Sequence, residues 1–202
     1  MTGVQTCALP IWKLDSDGCA TVSSSGLARL SNGTAAQVRR DFMEMGYSGG
    51  TAHGQSIRAL LTALDNYLDV PGDGGVVLVG VGNLGLAVLG FCGSFRPKLR
   101  ITAAIDSDPQ KSGRVIHGCR CYGVADTERV IREQGIRVAV LTVPASEAQG
   151  VADILIRCGI VGILSFAPTL LQTPETVFVE YIDMSLSLEK VAFFAYRGGE
   201  RE

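Results

Sequence analysis

A glycine pattern behind an apolar run constrains this chain more than any other feature. Four apolar residues, 76–79, are followed directly by Gly80, Gly82 and Gly85 in the spacing G-x-G-x-x-G. In this spacing the first glycine permits a tight turn, the second lets a pyrophosphate approach the backbone, and the third lets a helix pack closely on the strand. The N–H groups and positive dipole at the start of that helix favour phosphate. The segment therefore predicts a strand, a glycine-rich turn and a helix that bind a dinucleotide.

An acidic residue follows the glycines at the distance that dinucleotide-binding units use. The glycine pattern alone could be a turn without a ligand. However, a second apolar stretch over 99–106 ends in Asp106, about 20 residues further along the chain. A carboxylate at that place accepts hydrogen bonds from the ribose hydroxyls of adenosine and repels a 2′-phosphate. The combination favours a ligand site over a bare turn, and NAD over NADP.

Strand and helix patterns alternate after residue 75, which is typical of a parallel, doubly wound α/β sheet. The predicted strands cover 76–80, 99–106, 138–143 and 162–166, and the predicted helices cover 83–91, 125–134 and 145–158. Ligands of such sheets lie at the carboxyl ends of the strands. Thr142, Val143 and Pro144 lie where a cofactor is expected, although Pro144 could also simply begin the next helix. Phe166 ends another strand at the same edge. Judged by its spacing alone, it is more typical of a core residue than of a cofactor contact.

The residues before this region have a different pattern. Ser23 and Thr34 are hydroxyl residues placed to cap two short helices, which gives a helix-turn-helix outline over 21–45. A glycine-rich stretch over 46–54 predicts a loop or hairpin, and apolar residues at helical spacing predict a helix over 57–68. Residues 69–75 have the composition of a linker, so we expect a domain boundary there.

Residues 1–12 do not resemble the rest of the chain. They lack the basic start and the long apolar middle of a secretory signal, and Pro10 argues against a helix. We interpret them as an atypical leader that comes from a misassigned start or a fused stretch.

Composition excludes some functions and leaves others open. The formal net charge is −2, with 47% hydrophobic and 19% charged residues, so the chain is no bulk binder of polyanions. A local basic patch is compatible with these values, because nucleic-acid binding depends on where Lys and Arg lie. No apolar run approaches the ~20 residues of a membrane-spanning helix, and we expect a cytoplasmic protein without a membrane partner.

The six cysteines include no C-x-x-C pair, which predicts buried thiols. Cys119 and Cys121 could share one face of a strand. Packing is more typical of such a pair than redox chemistry.

Candidate catalytic residues are sparse. The two histidines are His53, in the glycine-rich stretch, and His117, between a predicted helix and a strand. Neither follows a strand end where a dehydrogenase would place a proton relay, and no Ser-His-Asp or metal-binding pattern is present. We predict that the protein is not an enzyme, has no catalytic residues and binds no metal.

The second short helix carries two adjacent arginines. Gln37, Arg39 and Arg40 lie on the helix that enters the major groove in helix-turn-helix proteins, and Arg suits phosphate and guanine edges. The alternative is a solvated face whose charge Asp41 partly offsets. Spacing alone leaves both interpretations open.

From residue 21 to residue 196 the chain resembles the Rex family of redox-sensing transcriptional repressors. The motifs that carry the resemblance occur in the family's order: TAAQVRRD (34–41), VGVGNLG (79–85), DSDP (106–109), LTVPA (141–145), Gln149 with Asp153, GIVGILSFAP (159–168) and VEYID (179–183). The resemblance implies a winged helix, a Rossmann domain and a homodimer that exchanges its C-terminal helix. It also implies repression of respiratory and fermentative genes when NADH is scarce, release of a palindromic operator when NADH binds, and a role for Asp183 in this switch.

The chain departs from the family pattern at several places. Residues 1–12 stand where the family has an opening helix, so the winged helix would be incomplete. Family members carry basic residues at the positions of Gly50 and Thr51, a tyrosine at Gln55 and an asparagine at Ser165. We expect weaker phosphate contacts, an altered switch and an altered contact near the nicotinamide.

These observations define a set of predictions. The domains are a leader (1–12), a winged helix (13–70), a Rossmann NAD(H)-binding domain (76–184) and a swapped helix with a tail (185–202). The predicted NADH/NAD contacts are Gly80, Gly82, Asn83, Leu84, Gly85, Asp106, Lys111, Thr142, Val143, Pro144 and Phe166. The predicted operator contacts are Thr34, Gln37, Arg39 and Arg40. The alternatives are an NAD-dependent oxidoreductase and an NAD(H)-binding protein that has lost DNA binding.

Overall fold

The computed structural model describes residues 4–49, 54–68, 75–92 and 100–197. The chain divides into two units, Met1–Val70 and Pro71–Glu202. The predicted linker, apart from Gly75, lies outside the described residues, as do Gly50, Thr51 and His53. The side chains of Cys7 and Cys92 also lie outside them.

The described part of the first unit consists of helices and one short strand pair. Its elements are α1 (Val4–Ser16), β1 (Thr21–Val22), α2 (Ser24–Leu30), α3 (Ala35–Glu44), β2 (Gln55–Ser56) and α4 (Ile57–Tyr67). The predicted helix caps are confirmed, because the Ser23 hydroxyl accepts from the Gly26 N–H at 3.0 Å and the Thr34 hydroxyl from the Gln37 N–H at 3.2 Å. Strand β1 pairs antiparallel with β2. The predicted helix-turn-helix is therefore α2 and α3.

The expectation that Pro10 excludes a helix was wrong. Helix α1 runs through Pro10, and its Ala8 and Ile11 are buried in the core of the first unit with residues of α2, α3 and α4. Proline in a helix interior costs about 3 kcal/mol because it has no N–H and crowds the preceding turn. Burial of the neighbouring apolar side chains offsets this cost. The first unit therefore has a helix ahead of β1 in the chain that packs against α2, α3 and α4. The sequence had predicted an incomplete winged helix at this place.

The second unit contains a sheet with helices on both faces. Its elements are β3 (Gly75–Val79), α5 (Asn83–Cys92), β4 (Arg100–Asp106), β5 (Val115–Ile116), β6 (Cys119–Gly123), a 3₁₀ turn (Val124–Asp126), α6 (Thr127–Glu133), β7 (Val138–Leu141), α7 (Ala145–Arg157), β8 (Gly162–Ser165), β9 (Phe178–Tyr181) and α8 (Met184–Arg197). The strand order is β5-β6-β4-β3-β7-β8-β9, with β5 antiparallel and the other described pairs parallel. Without β5 this is the 3-2-1-4-5-6 order of a Rossmann fold.

The central strand β3 is buried on both faces. Val77 and Val79 belong to one core cluster together with residues of α6 and α7, and Val76 and Leu78 belong to a second cluster with Leu89 of α5. Burial on both faces explains why the strand is a continuous apolar run rather than an alternating one. It also holds the carboxyl end of β3 in a fixed place.

Several short elements were not predicted. Strands β5 and β9 were missed because each has only two to four residues and mixed exposure.

Cys119 and Cys121 are buried on one face of β6, as expected. Burial raises the pKa of Cys119 to about 11, with a further contribution from Cys121. A thiol with such a pKa is a poor nucleophile, which favours packing over redox chemistry. Cys19, which was expected to be buried, is exposed in the turn after α1.

Helix α8 differs from the other helices of the second unit because none of its residues is buried. Its large apolar side chains are exposed, with Leu188 at 70% and Phe194 at 64%. In the part of the chain that the structure describes, no helix is both long and apolar enough to cross a membrane.

Candidate functional site

Two of the three motif glycines are required by the packing of the protein itself. Gly80 has φ +96°, and a Cβ there would lie 2.8 Å from the carbonyl oxygen of Thr142 at the end of β7. A Cβ on Gly85 would overlap the carbonyl oxygen of Gly80. Both glycines therefore let β3, the loop after it and α5 approach the end of β7.

Gly82 has a different explanation. It does not have a positive φ, and a Cβ there would meet no atom of the described residues within 4 Å. Neither its backbone conformation nor packing against the described residues requires glycine at this position. The space above its Cα is open at the carboxyl edge of the sheet, next to the strand-order switch between β3 and β7, where dinucleotides bind. Gly82 thus fits a pyrophosphate that lies directly on the backbone.

The start of α5 faces the same loop. The Gly82 carbonyl accepts the Leu86 N–H at 2.9 Å, so the helical hydrogen bonds begin at the loop itself. The first N–H groups of a helix have no partner within that helix. Asn83 is exposed and Leu84 half-buried in this first turn, and N–H groups at the start of a helix favour an anion.

Asp106 lies under the loop and is bound on both carboxylate oxygens. Oδ2 accepts the Val81 N–H at 2.6 Å and the Lys111 ammonium at 3.1 Å, and Oδ1 accepts the Asp108 N–H at 2.8 Å. Lys111 also donates to the Val81 carbonyl at 3.0 Å. A carboxylate offers about four acceptor sites. Three serve the protein, so one site on Oδ1 is left for the predicted ribose contact.

This bonding controls the ionisation of Asp106. Burial by itself raises the pKa of Asp106, but the hydrogen bonds from Asp108, Lys111 and Val81 outweigh it and lower the pKa below the ordinary value. The carboxylate therefore stays charged at neutral pH and fixes the glycine-rich loop. The sequence pointed to Asp106 and Lys111 as cofactor contacts, but it gave no signal that they also hold the loop together.

Substitution of Asp106 tests this role. Asp106→Asn should lower the free energy of unfolding at pH 7 by about 2 kcal/mol, because an amide has one acceptor oxygen and cannot serve Asp108 together with Val81 and Lys111. The folded-state pKa is depressed, so the stabilisation is complete above the unfolded pKa of about 3.9 and is lost as the pH falls through the folded value. The difference between wild type and variant, measured by urea unfolding, should therefore shrink below about pH 4.

A suitable control for this experiment is Asp126→Asn, which breaks an exposed ion pair between Asp126 and Arg129. Exposed pairs contribute about 0.5 kcal/mol. An equal loss of stability in the two variants would contradict the role assigned to Asp106.

Thr142 connects β7 to the glycine-rich loop. Its hydroxyl lies 2.7 Å from the Gly80 carbonyl oxygen and 3.1 Å from that of Val79. The single hydroxyl proton is therefore used within the protein, and only acceptor capacity remains for a ligand. Val143 is half-buried, and Pro144 is the N-cap residue of α7, as the alternative interpretation of Pro144 predicted.

Phe166 and Ser165 end the neighbouring strand. Phe166 is half-buried and packs against the core cluster on the α5 face, so it contributes to the core while part of its surface stays accessible. Ser165 is completely buried, and its hydroxyl accepts the Ala167 N–H at 3.3 Å. The hydroxyl that replaces the family's asparagine is thus bound to the following backbone.

The predicted operator contacts lie on α3 of the first unit. Gln37, Arg39 and Arg40 are exposed, whereas Val38 and Phe42 are buried. Asp41, which was expected to offset the arginine charge on the surface, is only 2% exposed and belongs to the inner face. The Thr34 side chain is engaged as the helix cap. The outer face of α3 therefore exposes both arginines and Gln37, together with Met43 and Glu44.

Asp183 begins α8. Its Oδ1 accepts the Leu186 N–H at 2.9 Å, and its carbonyl accepts the Ser187 hydroxyl at 2.8 Å. Its role in the structure is that of a helix cap. The position joins the end of the sheet to the exposed apolar helix.

Comparison with known proteins relates both units to one group. The family model described as "CoA binding domain" matches residues 72–169. The chain is 39% identical over 181 residues to the redox-sensing transcriptional repressor Rex of a Roseiflexus species, covering 90% of this chain and 82% of that protein. It is 38% identical to the Rex protein of Chloroflexus aurantiacus, with 91% and 87% covered.

Solved structures give the same result. The crystal structure of RSP, a Rex-family repressor, in complex with β-NADH matches with a TM-score of 0.84 and 26% identity, covering 98% of this chain and 92% of RSP. The structure of RSP in complex with β-NAD⁺ and operator DNA matches with a TM-score of 0.78 and 27% identity, covering 96% and 93%. The matches include both the helix-turn-helix and the sheet unit.

Proposed function

The chain belongs to the Rex family of redox-sensing transcriptional repressors, and we propose that it binds operator DNA through α3 and releases it when NADH occupies its second unit. The observation that carries this proposal is the presence on one chain of two complementary features. One is a glycine-rich loop with an open face at Gly82, and the other is a helix-turn-helix whose second helix exposes two adjacent arginines. The protein is a regulator and not an enzyme, as its relatives are repressors.

The second unit would hold the dinucleotide across the strand-order switch. Gly82 and the first turn of α5 would bind the pyrophosphate, and the remaining acceptor site of Asp106 would bind the adenosine ribose. Thr142, Val143, Pro144 and Phe166 would then lie along the nicotinamide half. When bound, the nicotinamide ring supplies a charge difference, positive in NAD⁺ and neutral in NADH. Regulation requires that the dimer has an arrangement that cannot hold DNA. NADH must bind this arrangement more tightly than NAD⁺ binds it.

The operator is expected to be palindromic, because two copies of the chain would present two α3 helices. Support for a homodimer comes from α8, whose leucines and phenylalanines are exposed, because exposed apolar surface of this kind is typical of a protein–protein contact. Asp183 fixes where this helix begins and so could link the cofactor edge of the sheet to the partner. A protein that acts on operator DNA would work in the cytoplasm.

The dimer is tested by one substitution. Leu188→Glu should convert the dimer to monomer in sedimentation equilibrium, because it places a charge at the centre of the apolar surface. Glu189→Gln, on the same exposed helix, is the matched control and should leave the dimer intact. A wild-type chain that is monomeric at micromolar concentration would contradict the proposal.

The function is tested by gel mobility shift with operator-like palindromic DNA. We expect a DNA complex without cofactor and with NAD⁺, and its loss on addition of NADH at concentrations that saturate the protein. Failure to bind DNA under every condition, with NADH still bound, would instead support a cofactor-binding protein that has lost DNA binding. Turnover of NADH with a reducible substrate would support the oxidoreductase.

A further inference from the structure

The connection between β8 and β9 is a loop without a helix, and it leaves the sheet at its carboxyl edge. It follows Ser165 and extends over residues 166–177. In a Rossmann fold the strands on the β7 side of the switch bind the second mononucleotide, which here would be the nicotinamide half. The first part of the loop, residues 166–172, therefore borders the place where cofactor redox state is read.

Tyr181 fixes this segment from the end of β9. Its hydroxyl accepts the Leu171 N–H at 2.8 Å and lies 3.5 Å from the Leu171 carbonyl oxygen. The Tyr181 ring is half-buried against the core, and Leu171 is buried beside it at 8% exposure. One phenol thus holds a backbone unit of the loop against the sheet.

Gln149 of α7 fixes the next residue. Its Oε1 accepts the Gln172 N–H at 2.9 Å, and its Nε2 donates to the Gln172 carbonyl at 3.1 Å and to Asp153 at 2.8 Å. Asp153, as a carboxylate, only accepts hydrogen bonds, so it fixes which end of the Gln149 amide is the nitrogen. That nitrogen then faces the Gln172 carbonyl. The side-chain amide therefore pairs with the loop backbone as a neighbouring strand would.

At its other end the segment is bound as well. Ala167 is buried and its N–H is donated to Ser165, while Thr169 donates its N–H to the Ala167 carbonyl at 2.8 Å. The loop between these points projects Leu170, which is 82% exposed. The segment is therefore anchored at both ends.

We infer that Tyr181 and Gln149 are positioning residues that hold segment 166–172 in the form that accepts the nicotinamide half of the dinucleotide. This inference rests on the proposed function, because it assumes that the second unit binds NAD(H). Neither side chain need contact the cofactor. Their effect passes through the backbone of the loop to Phe166 and Ala167. Loss of the anchors lets the segment move, and binding of the nicotinamide half must then restore the order.

Tyr181→Phe removes the phenol hydroxyl and keeps the ring in the core. By titration calorimetry on the full chain, we expect the Kd for NADH to rise about five- to tenfold, whereas the Kd for ADP, which has only the adenosine half, stays within about twofold. Gln149→Ala should give the same split between the two ligands. Tyr122→Phe is the matched control, since Tyr122 is half-buried against the same core cluster and lies outside the loop and its anchors.

The outcomes separate this inference from the proposed function. Wild-type protein that binds no NADH would overturn both. Wild-type protein that binds NADH, with Tyr181→Phe and Gln149→Ala binding it equally well, would overturn the positioning role alone. Equal weakening of NADH and ADP would also overturn it, because a general loss of structure affects both halves of the site. Thermal unfolding of each variant without ligand identifies such a loss.

Discussion

Gly82→Ala should abolish most NADH binding without destabilising the protein. The added methyl group meets nothing within 4 Å in the part of the chain that the structure describes, and the position does not require a positive φ. It would, however, occupy the space in which the pyrophosphate approaches the backbone. We expect the affinity for NADH, measured by fluorescence titration, to fall at least about thirtyfold, which corresponds to roughly 2 kcal/mol. The midpoint of thermal unfolding without ligand should not change.

Two other glycines provide contrasting controls. Gly80→Ala places a Cβ 2.8 Å from the Thr142 carbonyl oxygen at φ +96°, so it should lower the free energy of unfolding by about 1–3 kcal/mol. Gly90→Ala, in α5, has the His117 ring as its nearest contact among the described residues, at an ordinary 3.7 Å, and should preserve both stability and binding. If Gly82→Ala binds NADH as tightly as wild type, the cofactor does not lie on this loop.

The fold of the second unit could be predicted largely because its signals are local. The apolar run before Gly80 and the spacing of the glycines are properties of adjacent residues, and they identify the strand, turn and helix directly. Strand β9, with the sequence FVEY, has no comparable pattern because it lies at the sheet edge, where Phe178 is 66% exposed. Its place in the sheet depends on pairing with β8, which no local window contains.

The site was predicted only in part for the same reason. Asp106 could be recognised by its distance from the glycines, but its hydrogen bond to Val81 spans 25 positions and the bond from Lys111 to Val81 spans 30. Such contacts arise only when strands β3 and β4 are paired. The anchors on Leu171 and Gln172 are also tertiary. Helix α1 was missed for a related reason, since burial of Ile11 overrides the local effect of Pro10.

Double substitution of Arg39 and Arg40 should remove most operator binding while cofactor binding remains. Both side chains are exposed on α3, so Arg39→Ala with Arg40→Ala should change stability by no more than about 0.5 kcal/mol. If both arginines contact phosphates, the slope of log K against log salt should decrease by about 0.9 for each. If either contacts guanine, it contributes about 1–3 kcal/mol of discrimination at that base. Fluorescence anisotropy at several salt concentrations measures both effects.

The same experiment distinguishes a DNA-binding helix from a merely solvated face. On a solvated face the loss of two charges would lower DNA affinity slightly and equally for operator and unrelated sequences, as would the loss of any surface arginine. Arg132→Ala provides this baseline, because Arg132 is exposed on α6 and pairs only weakly with Glu128 across solvent. A double variant that falls no further than this baseline would exclude α3 as the DNA-reading helix. A fall confined to the operator, with NADH affinity unchanged, requires that α3 reads bases and that the second unit senses the cofactor independently of these contacts.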